Sequence, residues 1–310
     1  MTHAVIDLGS NSVRLSIYEC QGTRIQKTFD EKQIAGLSSY VTDDVLETAG
    51  IERACVALNH LKGIASKFAA PDNIHLFASA SLRNVRNRDE AVHMIARETA
   101  LIPDVLEGDE EAALGFVGVS KLVDCDSGIM IDIGGASTEL VLFQGGKAVN
   151  LVSLPMGCLN LSVKYVGEII PNGPERRRIK EVIRAQLSKV DWGKKERYPL
   201  LVGTGGTLRA ALKLSHALLD LPATEHKMPA GHIKRITKLL RKNENNIFLM
   251  VYKAVPERLM TISTGLMILQ EAIERFGCKT LSVSHFGVRE GYLVGKILSM
   301  EDDYVINAGI

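Results

Sequence analysis

The chain has 310 residues, of which 46% are hydrophobic and 24% charged, and its formal net charge is +1. This composition is typical of a globular protein and argues against a disordered or collagen-like chain, and the length allows about two domains at roughly 150 residues each. No apolar run approaches the ~18 residues of a membrane helix, and the first residues predict a strand instead of a signal peptide. We therefore expect a cytoplasmic protein without a membrane partner.

The cysteines and the charge distribution further limit the kinds of site that the sequence predicts. The five cysteines are scattered and form no Cys-x-x-Cys pair, so we expect reduced thiols and neither disulfides nor a zinc site. Residues 1–125 carry a net charge of −6 and residues 126–310 a net charge of +7. Basic residues of the second half cluster at 176–180, 194–197 and 234–242. These clusters indicate either a track for a long polyanion or solvated helix faces, and the sequence leaves both open.

The first elements predict a hairpin, a third strand and a helix. Apolar alternation indicates strands at 4–8, 13–18 and 24–34. Helical spacing follows at 44–68, with Asp43 or Asp44 as its cap.

An arginine after the next strand is a candidate phosphate ligand. A strand is predicted at 74–78, and the loop 79–84 places Arg83 just beyond its carboxyl end, where α/β sheets bind ligands. A guanidinium there would hold a phosphate as a fork, and the alternative is a surface ion pair.

Four acidic residues surround one glycine at the start of a later helix. They follow a predicted helix at 88–101 and a strand at 104–106, and they are Glu107, Asp109, Glu110 and Glu111. Any one of them could complement the helix dipole, but four together at a first turn that faces a cleft indicate catalysis. We expect Glu111 to orient an attacking water, because it lies deepest in the first turn with two alanines beside it.

The segment 129–143 is the centre of the chain. Two apolar runs, 129–133 and 140–143, predict a hairpin around a turn of small residues. Gly134 and Gly135 let backbone N–H groups approach an anion, and hydroxyls at Ser137 and Thr138 add donors. Asp132 beside this turn is an oxygen ligand that suits Mg²⁺ bound with phosphate.

The same pattern occurs near the start of the chain. Residues 6–15 and 131–140 match at their Ile, Asp, Gly, Ser and Leu positions, which predicts an internal duplication. Two such turns facing one ligand would clamp a phosphate chain, whereas each Asp-X-Gly alone is also an ordinary tight turn.

The remaining elements alternate between strands and helices. We expect a strand at 147–154, a helix at 176–190, helices at 208–219, 233–240 and 262–273, and a strand at 280–284. A third glycine-rich turn, Gly203, Thr204, Gly205 and Gly206, precedes a helix and is a weaker candidate anion loop. His285 and Arg289 begin the last helix and either border the cleft or cap the helix.

Together these segments resemble the exopolyphosphatase/guanosine pentaphosphatase (Ppx/GppA) phosphatase family, which belongs to the actin, Hsp70 and sugar-kinase superfamily. The matching segments run in family order across nearly the whole chain, at 6–15, 78–83, 108–112, 131–139, 203–207 and 287–291. The resemblance implies an α/β fold of two ribonuclease-H-like, actin-like domains with an interdomain cleft. We place the first domain at 1–122, joined by a C-terminal helix at about 296–310, and the second at 123–295.

The resemblance also implies roles for individual residues. Glu111 matches the catalytic glutamate and Arg83 a phosphate-contacting arginine. Asp132 and Glu139, with Asp7 added from the duplication, are the expected metal ligands for Mg²⁺, with Mn²⁺ as a possible substitute. The expected phosphate-binding residues are Gly9, Ser10, Asn11, Ser12, Gly134, Gly135, Ala136, Ser137, Thr138, Gly203, Thr204, Gly205 and Gly206. Ala136 replaces a usual glycine, and the C-terminal helical domains of long members are absent, so we expect limited processivity on very long chains.

The expected function is metal-assisted hydrolysis of the terminal phosphoryl group of inorganic polyphosphate. Cleavage of the 5′ terminal phosphate of guanosine pentaphosphate (pppGpp) is the alternative, with guanosine tetraphosphate as a further ligand. An actin-like nucleotide switch is a more remote interpretation, because the Arg83 loop, the acidic cluster at 107–111 and the order of the motifs argue against it. A sugar kinase is another, since no sugar-binding constellation is apparent. We expect a homodimer without specific nucleic-acid binding.

Overall fold

A computed structural model describes residues 1–121, 125–192, 197–242, 244–300 and 304–308. The chain forms two compact units, Met1–Gly118 with Val288–Ile310, and Val119–Gly287. The second unit thus ends before the predicted bound of 295. Part of the predicted basic cluster at 194–197 lies outside the described residues.

The first unit begins with a sheet and its covering helices. The strands are β1 (Thr2–Leu8), β2 (Ser12–Gln21), β3 (Arg24–Ile34), the short pair β4 (Val41–Thr42) and β5 (Val45–Leu46), β6 (Ile74–Ala78) and β7 (Asp104–Val105). The helices are α1 (Thr48–Ala65), α2 (Ala80–Arg83), α3 (Arg88–Thr99) and α4 (Gly108–Ser120). Residues 3–6 of β1 are all buried, as in a strand that is covered on both faces.

The second unit repeats this plan. Its strands are β8 (Ser127–Ile133), β9 (Thr138–Gln144), β10 (Lys147–Leu154), β11 (Leu200–Thr204), β12 (Lys227–Pro229) and β13 (Thr280–Val283). Its helices are α5 (Cys158–Tyr165), α6 (Gly173–Ser188), α7 (Gly205–Leu219), α8 (Gly231–Lys242), α9 (Asn245–Ala254) and α10 (Ile262–Phe276). The chain then returns to the first unit through α11 (Val288–Tyr292) and β14 (Val305–Ala308).

The two main sheets share the order of five of their six strands. The first sheet is ordered β14-β3-β2-β1-β6-β7 and the second β10-β9-β8-β11-β13-β12. In both, an antiparallel three-stranded meander continues into parallel strands on the other side of its first strand. The shared order agrees with the internal duplication that the sequence predicted, and the carboxyl ends of β1 and β8 each lead into a turn of small residues.

Two local predictions were wrong for identifiable reasons. Helix α1 has Glu47 as its N-cap residue, because Asp43 and Asp44 take left-handed backbone conformations (φ 49° and 61°) in the two-residue turn between β4 and β5. The expected C-terminal helix at about 296–310 is replaced by a π-helical turn, Leu293–Ile297, and by β14. Strand β14 contains Val305 and Ile306, which favour strands, and it pairs in parallel with the edge of β3.

A pair of histidines joins β1 to β6 in the first unit. His3 Nδ1 lies 3.2 Å from His75 Nε2, and the rings stack with centroids 5.5 Å apart. Burial lowers the pKa of both side chains, with the N-terminal charge also lowering that of His3 and His3 lowering that of His75. The folded unit therefore favours the neutral imidazoles.

We predict that acidification destabilises the first unit through this pair. Because the folded pKa values lie below the ordinary value of 6.5, the unfolded state binds more protons, so the stabilisation is complete above about pH 6.5 and is lost as pH falls below it. The urea midpoint of unfolding should fall from pH 7.5 to pH 5.5, and His75→Gln should reduce that fall. His60→Gln, at an exposed site on α1, is the control and should leave the pH dependence as in the wild type.

Candidate functional site

The turn between β1 and β2 is closed by one short backbone bond. Gly9 N donates to Ser12 O at 3.2 Å. The carbonyl of Asn11 accepts from Ala35 N (3.1 Å) and Gly36 N (2.8 Å), and the carbonyl of Ser10 accepts from Ser38 N at 3.0 Å. The carbonyls of this turn are therefore held by the segment that follows β3.

The turn between β8 and β9 has the same closure. Gly134 N donates to Ser137 O at 3.0 Å. Gly135 O accepts from Leu159 N and Asn160 N at 2.9 and 3.0 Å, and the Asn160 side chain donates to Ala136 O at 3.1 Å. The first turn of α5 therefore fixes the carbonyls of this loop, which leaves the N–H edge as the side suited to an anion.

Gly157, just before α5, makes this arrangement possible. A Cβ atom at Gly157 would collide with the backbone of Gly135 and Ala136. Since the backbone itself is the obstacle, neither side can move without distorting the loop. The close approach therefore requires glycine at this position.

The third glycine-rich turn joins the second one within the same unit. Strand β11 ends at Thr204, whose register partner on β8 is Asp132. Gly205 has a left-handed φ of 77°, and a Cβ atom there would meet the Asp132 carboxylate. Thr207 in the first turn of α7 donates to Ile133 O at 2.9 Å. The structure therefore brings Asp132 against the N-terminus of α7, where backbone N–H groups favour anions.

Two carboxylates of the second unit lie opposite each other on β8 and β9. Asp132 is the register partner of Glu139. Glu139 is only 3% exposed and accepts a hydrogen bond from Ser153 Oγ at 2.8 Å, whereas Asp132 is half-buried. In the described part of the chain, no three His, Cys, Asp or Glu side chains gather as a metal-binding group. One or two carboxylates, with water and substrate phosphate completing the shell, are nevertheless a donor set that fits Mg²⁺.

An arginine that the sequence analysis missed lies at the third turn. A Cβ atom at Gly206 would collide with the guanidinium of Arg258, so this side chain packs directly on the glycine at the start of α7. Arg258 ends the short 3-10 helix Pro256–Arg258 before α10. Because it is a single arginine outside any motif, no sequence signal distinguishes it from a surface residue.

In the first unit the structure brings Arg83 and Glu111 together. Arg83 Nη1 donates to Glu111 Oε2 at 2.7 Å and to Leu106 O at 2.9 Å. The two side chains are 10% and 12% exposed. Arg83 lies in α2, which replaces the predicted loop and so points its last turn at the start of α4.

The other acidic residues of this cluster have different surroundings. Glu107 pairs with Arg88 at 3.2 Å, and Glu110 pairs with Lys296 at 2.6 Å. Asp109 is exposed. Glu111 is thus the acid that these contacts place on the candidate phosphate-binding arginine.

Arg289 is part of a buried polar cluster instead of a helix cap. It donates to Asp30 at 2.9 Å, and Ser16 Oγ donates to the same carboxylate. Burial lowers the pKa of Arg289, but the negative charges of Glu290, Asp30 and Asp7 raise it to a net value above the ordinary one. Asp7 therefore lies in the field of a fixed positive charge. His285 is exposed and its ring lies edge-on to His226, with centroids 5.2 Å apart.

Comparison with solved structures identifies the fold. The Aquifex aeolicus member of the Ppx/GppA protein family is 26% identical, with a TM-score of 0.78 over 96% of this chain and 98% of that one. An exopolyphosphatase from Cytophaga hutchinsonii is 19% identical, with a TM-score of 0.84 over 97% of this chain and 99% of that one, and shows the fold alone. The prediction of an α/β fold with two actin-like domains is confirmed.

A relative with a second activity also matches. The bifunctional 3-dehydroquinate synthase/phosphatase of Fusobacterium nucleatum is 28% identical over 295 residues, which are 91% of this chain and 44% of that enzyme. This chain therefore spans less than half the length of that relative.

Two further findings bear on the class of protein. Among the described residues no helix combines the length and apolarity that a bilayer crossing requires. The model of the Ppx/GppA phosphatase family matches residues 16–300, which is most of the chain and includes Arg83, Glu111 and both glycine-rich turns of the second unit. This match and the solved structures together support the prediction that the protein is a phosphatase, an enzyme of the hydrolase class. The chain belongs to the Ppx/GppA phosphatase family.

Proposed function

We propose that this chain hydrolyses the terminal phosphoryl group of inorganic polyphosphate and releases orthophosphate. The observation that carries the proposal is the hydrogen bond of 2.7 Å from Arg83 to Glu111. The same chain has two hairpin turns that are closed by the same backbone hydrogen bond and that present N–H groups. Phosphoryl transfer requires mainly positioning and charge neutralisation, and these groups supply both.

The three small-residue turns would bind the phosphates. In the first unit these are Gly9 to Ser12, and in the second Gly134 to Thr138 and Gly203 to Gly206. Their carbonyls are engaged within the fold in the two hairpin turns, so backbone N–H groups remain to face an anion. We add Arg258 as a phosphate ligand, because its guanidinium packs on Gly206 at the N-terminus of α7, where charge and dipole act together.

Glu111 would orient the attacking water and accept its proton. The hydrogen bond from Arg83 to Oε2 fixes the orientation of this carboxylate. Arg83 would then contact both Glu111 and a phosphoryl oxygen. One guanidinium would thus hold the general base and the phosphoryl group side by side.

Mg²⁺, with Mn²⁺ as substitute, is the proposed cofactor. Asp132 and Glu139 of the second unit would hold it, with Ser153 orienting Glu139. When bound, the ion would neutralise charge on the phosphoryl oxygens. A cytoplasmic location and a homodimer remain parts of this proposal.

Replacement of Glu111 by glutamine tests the base. Glu111→Gln keeps the shape and the hydrogen bond from Arg83 but cannot accept a proton, so kcat for phosphate release should fall about 10²-fold or more with little change in KM. Glu110→Gln is the matched control, since Glu110 lies in the same helical turn and pairs with Lys296. Near-normal turnover by Glu111→Gln would remove the proposed role.

The substrate is tested by comparing phosphates of different form. Guanosine pentaphosphate is the second candidate, favoured by the family match and cleaved by the same groups. We expect a higher kcat/KM for medium-length polyphosphate than for the nucleotide, measured as orthophosphate release with and without added Mg²⁺. A preference for the nucleotide would reverse this ranking.

Enlarging Gly157 tests whether the second hairpin turn must hold its shape. Gly157→Ala forces a Cβ atom into the backbone of Gly135, so it should lower the free energy of unfolding by about 1–3 kcal/mol and reduce kcat. Gly63→Ala, inside α1 with open space around it, should instead stabilise by about 0.5–1 kcal/mol and keep full activity. Equal stability of the Gly157 variant and the wild type would show that the loop tolerates displacement.

A further inference from the structure

A small recess in the second unit is lined by residues outside the glycine-rich turns. It is formed by the start of α6, the end of α8 and the first turns of α10, and we call it the α6–α8–α10 recess. Arg176, Arg241, Ser263 and Pro171 line it, together with apolar side chains. Its cavity volume of about 10 Å³ admits one water-sized group, such as a single phosphoryl oxygen.

A buried hydroxyl in this recess lacks a partner. Ser263 is 7% exposed, and within the described residues its Oγ has no hydrogen-bond partner. Leaving such a group unsatisfied is destabilising. The recess therefore offers a polar site that a bound group would complete.

Two guanidiniums flank the recess without a carboxylate between them. Arg176 Nη1 donates to Pro171 O at 2.6 Å, which anchors the side chain at the rim. Burial and the neighbouring charge of Arg241 lower the pKa of Arg176, while Glu175 acts in the opposite direction. The structure shows no ion pair for either arginine in the part of the chain that it describes.

The nearest acidic residue along the chain is already engaged. The two carboxylate oxygens of Glu175 accept hydrogen bonds from Gly167 N at 3.1 Å and Asn172 N at 2.8 Å, where they complete the cap of α6. Two like charges beside an unsatisfied hydroxyl favour the binding of an anion. A water could satisfy the hydroxyl but would leave the repulsion.

We propose that the α6–α8–α10 recess binds a phosphoryl group, with one oxygen on Ser263 and others on Arg176 and Arg241. The choice of a phosphoryl group over another oxyanion rests on the proposed function, since both its substrate and its product carry one. A guanidinium presents paired donors that match phosphate oxygens, so two of them with a hydroxyl form a donor site for a phosphoryl group.

The surrounding surface supports an anionic ligand. Exposed basic residues continue along both helices, with Arg177 and Arg178 on α6 and Lys234, Lys238 and Lys242 on α8. The sequence alone left open whether these clusters bind a polyanion or are only solvated. These residues create a positive electrostatic field, and the recess provides a defined position within it at which a phosphoryl group can bind.

Equilibrium dialysis without divalent metal tests the proposal, because binding is then measured without hydrolysis. Radiolabelled orthophosphate and long-chain polyphosphate are the two ligands. The double variant R176Q/R241Q should bind them about tenfold or more weakly at one class of sites, and Ser263→Ala should weaken the same sites several-fold. R177Q/R178Q removes the same charge from the exposed face of α6 and should weaken binding much less, because it leaves the recess intact.

The two ligands identify the source of the phosphoryl group. A loss seen with orthophosphate indicates a product site, and a loss seen only with the long chain indicates a substrate-chain site. Either result supports the proposal. Wild-type binding by R176Q/R241Q, or a loss no greater than that of R177Q/R178Q, overturns it and leaves the recess with water only.

Separate control experiments test whether the variants fold and whether they remain active. The Arg241 side chain is exposed, so Arg241→Gln alone provides a folded variant if the double change unfolds the unit. Hydrolysis of tripolyphosphate by R176Q/R241Q should keep the wild-type kcat. If the wild type hydrolyses nothing yet the binding difference is present, the proposed function fails and the recess site stands as an anion site.

Discussion

The two hairpin turns depend on one short backbone bond, from Gly9 N to Ser12 O in the first unit and from Gly134 N to Ser137 O in the second. This closure favours a residue without a side chain at its start, because a Cβ atom there would press on the carbonyl that accepts the bond. It also ends the inner strand abruptly, so the aspartate two residues earlier stays at the rim of the sheet. The phosphate-binding hypothesis needs both effects together.

Around these turns, the fold supplies support in different ways. The segment after β3 holds the carbonyls of the first turn, whereas the first turn of α5 holds those of the second. The third turn contributes the N-terminus of α7 and the packing of Arg258 on Gly206. Repetition of one strand order thus coexists with divergent supports, as expected after duplication of a domain whose copies then specialise.

Sequence patterns predicted the strands well because alternation and turn residues are local. Strands β3, β6 and β10 have the predicted bounds, and both hairpins form. The predictions fail where residues distant in sequence determine the local structure. Strand β14 forms because β3 offers an open edge, α9 and β12 lacked a distinctive pattern, and Asp43 and Asp44 serve a hairpin instead of a helix. For the candidate site, motif order located Arg83 and Glu111, but their contact depends on α2, and Arg258 gave no local signal.

The discontinuous first unit constrains how the chain can fold during synthesis. Its sheet is completed by β14, and its buried Arg289 pairs with Asp30 across most of the sequence. The second unit is continuous, so all its strands have left the ribosome before α11 and β14 appear. The second unit can therefore form first, while the sheet of the first unit still has an unpaired edge. Chaperone protection of that edge would be most needed in this interval.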